Sequence, residues 1–136
     1  MVKLIMGIKG MGKTKTLIEM VNNSVAAEDG FVVCIEKGTK LRCDINHKAR
    51  LIDIKEYEVK DFQTFFGFIS GLFAGNYDIT SIYVDSVLKF CDGTMDELGQ
   101  FLDKLSLLSA NENKNIILTA SHESKDVPES VKKYFM

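Results

Sequence analysis

The chain has 136 residues and a formal net charge of −2, with 46% hydrophobic and 26% charged residues, the make-up of one ordinary globular domain over 1–136 with no room for a second independent core. Its apolar stretches are broken by charges or glycines well short of the roughly 20 residues a membrane span requires, and no charged-then-apolar leader opens it, so a cytoplasmic protein without a membrane partner is expected. Basic residues do not cluster into the positive surface that phosphate-backbone binding needs, so there is no strong nucleic-acid signal either.

Short apolar runs alternate with helical patterns along the chain, which predicts a mainly parallel α/β sheet. Residues Val2–Met6 form the first strand and run into a glycine-rich turn. A helix from about Lys13 to Ala27 follows, with Leu17, Met20, Val21 and Val25 on one face. Phe31–Glu36 is a nearly unbroken apolar strand of the kind buried on both faces. The polar stretch Lys37–Arg50 reads as a hairpin or a loop, and Leu51–Ile54 as a short strand. Phe62, Phe65, Phe66, Ile69, Leu72 and Phe73 recur at helical spacing behind Asp61 as a cap and ahead of Gly75 as a stop, a stripe expected to pack in the core. Ile79–Asp85 is the next strand. Thr94 with Glu97 makes a capping box for a helix carrying Leu98, Phe101, Leu102, Leu105 and Leu108. Asn115–Ala120 is the last clear strand, and Pro128 marks a short terminal helix.

Gly7-Ile8-Lys9-Gly10-Met11-Gly12-Lys13-Thr14 fits the phosphate-cradling pattern G-x-x-x-x-G-K-[ST] at every position. Chance produces that pattern in about one chain in 200 of this length at ordinary residue frequencies. A strand leading in and a helix leading out make a coincidence rarer still. Gly7 and Gly12 are expected to take positive φ and turn backbone N–H groups inward, and the helix N-terminus adds partial positive charge at the same point. The expected nucleotide-binding residues are Gly7, Lys9, Gly10, Met11, Gly12, Lys13, Thr14 and Lys15. Lys13 would reach the β- and γ-phosphates, and the Thr14 hydroxyl would ligate Mg²⁺. Ser81-Ile82-Tyr83-Val84-Asp85 delivers a carboxylate at the C-terminal end of its strand, the edge where open α/β sheets bind ligands. There Asp85 would hold the metal.

With these residues the chain resembles the ATPase core of the RecA-like branch of the P-loop NTPases over roughly residues 1–122, and it is similar to small single-domain bacterial ATP-binding proteins of unassigned role. The resemblance rests on the P-loop, the strand ending in Glu36, the strand-plus-aromatic-helix insert and Val84-Asp85-Ser86-Val87. It implies a three-layer P-loop fold whose five strands lie in the order 51–54, 31–36, 79–85, 115–120, 2–6. It implies ATP and Mg²⁺ as cofactors, with Lys13 and Glu36 as catalytic residues, Glu36 polarising the attacking water. It places Ser121 or His122 as a sensor of the γ-phosphate. A strand-end glutamate is also commonly a cap, and no glutamate follows Asp85 directly to take over as base. Such cores carry a further strand outside the P-loop strand, so either Val127–Met136 folds over the edge at Val2–Met6 or another subunit does. ATP or ADP and a homo-oligomer or unknown protein are therefore the expected partners.

Rival readings divide on a few residues. A GTPase would carry Asp-x-x-Gly and Asn-Lys-x-Asp, which Asp85-Ser86-Val87-Leu88 and Asn113-Lys114-Asn115-Ile116 fail to match. A small nucleoside or nucleotide kinase would clamp phosphates with several arginines, and only Arg42 and Arg50 occur. A nucleotide-gated binding module with little turnover is the alternative outside enzymology. Cys34, Cys43 and Cys91 have neither disulfide nor zinc spacing, and Cys34 reads as a small buried hydrophobe. His47 and His122 lack partners at metal spacing.

Overall fold

A computed structural model describes residues 1–27 and 29–136, apart from the side chain of Ser124. Five strands, β1 (Val2–Gly7), β2 (Phe31–Glu36), β3 (Arg50–Asp53), β4 (Ile79–Val84) and β5 (Asn115–Ser121), form one sheet in the order β1-β5-β4-β2-β3. Every pairing between them is parallel. Among the described residues four α-helices complete the α/β architecture: α1 (Lys13–Ala27), α2 (Phe62–Gly75), α3 (Met95–Glu112) and the short α4 (Glu129–Lys132).

The central strands are mostly apolar because each feeds two cores. Val33 and Ile35 of β2, Ile82 and Val84 of β4, and Ile116 and Leu118 of β5 pack into one cluster with α2 and α3. Their alternates Val32, Cys34, Tyr83 and Ile117 pack on the other side with Leu17 and Val21 of α1. That two-residue alternation between faces makes three layers, and it accounts for the nearly continuous hydrophobic run of β2.

The stretch 37–49 is a loop of turns rather than a hairpin. Leu41, Ile45 and Ala49 anchor it in the α1-side core. The Asn22 side chain ties it to α1, accepting from Asn46 N–H and donating to the Asp44 carbonyl. β3 begins at Arg50 and ends at Asp53, one residue earlier than expected, because Asp53 accepts from Lys55 N–H and turns the chain into a 3₁₀ segment, Ile54–Tyr57.

The aromatic stripe of α2 is core. Phe62, Phe65, Ile69 and Phe73 are buried, and Phe65 meets Phe90 edge-on at 5.0 Å and stacks on Phe101 at 5.8 Å. α2 runs through Gly75 and is closed at Asn76, so the glycine is the last helical residue rather than the stop. The capping box of α3 forms with both of its hydrogen bonds, and Pro128 stands as N-cap of α4 rather than within its first turn. Beyond α4 the chain returns to the sheet. Leu4 N–H donates to the Tyr134 carbonyl at 2.8 Å, and Met136 N–H donates to the Leu4 carbonyl at 3.2 Å. The outer edge of β1 is thus covered by the chain's own residues 134–136, the first of the two arrangements expected.

Candidate functional site

β1 ends at Gly7 and α1 begins at Lys13, so residues 8–12 are the connecting loop. Gly10 and Gly12 hold φ of +91° and +80°, where a side chain would strain the backbone. Gly7 does not. It is still in β1, paired with Ser121, and the loop turns only after it, so Gly10 takes the left-handed position expected of Gly7. The Lys13 ammonium folds back across the loop and donates to the Ile8 carbonyl at 2.7 Å.

The first turn of α1 is electrostatically unusual. The leading N–H groups of a helix lack partners within it and carry partial positive charge, so acidic side chains are favoured there and basic ones are not. α3 obeys this with Asp96 and Glu97 in its first turn. α1 has no acid there and carries Lys13 and Lys15 instead. That concentration of positive charge is unfavourable unless an anion occupies the spot.

Asp85 follows β4 and is buried. Its N–H donates to the Ile35 carbonyl of β2 at 2.8 Å, which fixes where the carboxylate leaves the sheet. Oδ1 accepts from the Thr14 hydroxyl at 3.0 Å and from the Thr119 hydroxyl at 3.2 Å, and Oδ2 accepts from the Ser86 hydroxyl at 3.3 Å. Ser86 takes a left-handed φ of 54°, and its N–H donates to Thr119 Oγ1 at 2.7 Å. The structure therefore joins the first turn of α1 directly to the end of β4, as the Thr14 and Asp85 pairing demands. Thr119 was not foreseen. The available signal was a lone hydroxyl inside the apolar strand Ile116–Ala120, since a buried hydroxyl needs partners.

Glu36 emerges at the same edge and is buried. Oε1 accepts from Lys40 N–H at 3.2 Å and Oε2 from Leu41 N–H at 3.0 Å, so the carboxylate caps the loop that follows it. Burial pushes its pKa up, the two N–H groups pull it back, and the charges of Asp85 and Asp53 add to the rise.

Two adjoining cavities open on this edge. One, of about 470 Å³, is lined by Lys9, Gly10, Gly12, Lys13, Thr14, Lys15, Ser86, Lys89 and Ser121. Its neighbour, of about 320 Å³, shares Thr14, Ser86 and Lys89 and adds Glu36 and Asp85 among its walls. Of the two candidate sensors, Ser121 lines the first cavity. His122 lines neither, and its N–H extends the sheet by donating to the Gly7 carbonyl at 3.0 Å. Met11 is highly exposed on the loop and lies outside both linings. Lys89 lies in both cavities and was not foreseen.

Arg42 and Arg50 line neither cavity. Arg50 opens β3, at the end of that parallel strand away from Glu36 and Asp85. Burial lifts the Cys34 and Cys91 thiols to about 12, so neither supplies a thiolate near neutral pH. Among the described residues no group of three or more His, Cys, Asp and Glu comes together as a metal cage, and no helix is long and apolar enough to cross a membrane. Comparison with known protein families finds no family that matches the chain, and comparison with curated proteins finds no match.

Proposed function

We propose that the chain binds Mg²⁺ and a nucleoside triphosphate, ATP on the strength of the sequence resemblance, and hydrolyses it slowly. The observation that carries this reading is the Thr14 hydroxyl 3.0 Å from Asp85 Oδ1, at the mouth of a helix whose first turn holds two lysines and no acid. The phosphates would lie on the loop 8–12 and the free N–H groups of α1, with Lys13 released from the Ile8 carbonyl to meet them. Thr14 and Asp85 suit Mg²⁺, which takes few protein oxygens and keeps waters and phosphate oxygens as its other ligands. When bound, the metal would neutralise charge on the terminal phosphates. Positioning and charge neutralisation are then nearly all the chain has to supply.

Turnover of the isolated chain is expected well below about 1 s⁻¹, because a transition-state arginine is worth about 10³–10⁵ in rate and neither arginine lines the site. A second reading, a nucleotide-gated binding module, draws on Glu36, whose two oxygens already serve Lys40 and Leu41 N–H. The two readings separate on Glu36→Gln. If Glu36 is the general base, the variant binds Mg-ATP like the parent and hydrolyses it about 10²–10⁴ more slowly. Equal phosphate release by both proteins makes Glu36 a loop cap only. A parent with no Mg-dependent release favours the binding module.

A further inference from the structure

We infer that Lys89 is the cation that reads the terminal phosphate in the bound ground state; this rests on the proposed nucleotide site. After Asp85 the left-handed Ser86 starts a 3₁₀ turn, Val87–Lys89, in which Lys89 N–H donates to the Ser86 carbonyl at 3.0 Å. Val87, Phe90 and Cys91 are buried, so the turn is pinned on both sides of Lys89 while Lys89 itself stays exposed. The Lys37 ammonium holds the turn from outside, donating to the Lys89 carbonyl at 3.4 Å. Its origin is thus fixed by the same Ser86–Thr119–Asp85 network that positions the metal-binding carboxylate.

Lys89 borders both cavities, one walled by the lysines of the first turn of α1 and the other by the carboxylates Glu36 and Asp85, and it also lines a third cavity with Glu58 and Asp92. Among the described residues no carboxylate lies within ion-pair distance of its ammonium. An unpaired ammonium on a flexible stem, lining the same two cavities as Thr14, suits the outermost charge of a polyphosphate. Lys13, Lys15 and the helix N-terminus would meet the phosphates from the α1 side of the first cavity, Lys13 reaching the β- and γ-groups. Loss of Lys89 therefore weakens a triphosphate selectively and leaves a diphosphate alone.

The test is calorimetry of the parent, Lys89→Ala and Lys89→Arg with Mg-ADP and with the non-hydrolysable β,γ-imido analogue of Mg-ATP. Melting curves check that the fold is kept. The expected result is a loss of about five- to tenfold for the triphosphate analogue in Lys89→Ala, less than twofold for ADP, and recovery in Lys89→Arg. Equal losses for both nucleotides, or no loss for either, overturn the role of Lys89 while leaving the nucleotide site standing. A parent that binds neither nucleotide overturns the site and the role together.

Discussion

Glu36 and three aspartates, Asp53, Asp61 and Asp103, respond to pH in opposite directions. Glu36 has its folded pKa raised, chiefly by burial. Its contribution to stability is complete below the unfolded value of about 4.3 and is lost as pH rises through the higher folded value. Asp53, Asp61 and Asp103 have theirs lowered, mainly by hydrogen bonds from Gly38, Thr64 and Tyr134 respectively. They stabilise above about 3.9, and that contribution is lost as pH falls through their folded values. Glu36→Gln removes only the first effect, and it also turns one acceptor into a donor facing Lys40 or Leu41 N–H. Urea unfolding of parent and variant at several pH values should show the parent losing ground to Glu36→Gln as pH rises above about 4.3. A difference between them that stays flat with pH would remove the assigned cause. The meeting of Thr14 with Asp85 was legible because it follows from sequence spacing and a strand-end carboxylate. The placement of Lys89 and Thr119 at this edge was not, because it depends on a left-handed Ser86 and on which strands become neighbours.

Elements that bury a face were legible, and those shaped by local caps less so. β2 shows as a strand because both faces are buried, and α2 shows because its phenylalanines recur with the helical period. The loop 37–49 gave no such signal. Its anchors Leu41, Ile45 and Ala49 are single residues in a polar background, and Glu36 organises its start from outside. At α3 the sequence pattern and the geometry coincide, with Thr94 Oγ1 accepting from Glu97 N–H at 3.1 Å and Glu97 Oε1 accepting from Thr94 N–H at 2.9 Å. Thr94→Ala should cost about 1 kcal/mol of folding stability and leave nucleotide binding unchanged, since α3 lines neither cavity. Denaturant midpoints together with calorimetry check both halves. A variant as stable as the parent would show that the box contributes nothing.

Across the whole molecule, one edge of the sheet bears on both solubility and site geometry. β1 leads straight into the loop 8–12, and its outer edge is held by Tyr134 and Met136 through Leu4. The Tyr134 hydroxyl donates to Asp103 at 2.6 Å and Lys133 pairs with Asp103 at 3.0 Å, so α3 anchors this strap. Deleting residues 134–136 leaves the Leu4 N–H and carbonyl open on a sheet edge, an invitation to pair with another copy. The truncated chain should melt lower by about 5 °C and associate with concentration in sedimentation; behaviour identical to the parent would mean that the strap guards nothing. The sheet order was expected from the resemblance, and the strap from the bare edge that resemblance implied; neither follows from periodicity, which is silent on which strands are neighbours. At its other end the sheet brings the loop 8–12 and α1 to the proposed phosphate site. The most direct measurement is Mg-ATP calorimetry of the parent and Lys13→Ala. The expected result is binding by the parent and at least about tenfold weaker binding by a folded Lys13→Ala, as the loss of a charged hydrogen bond implies. Equal affinity of the two proteins would contradict it.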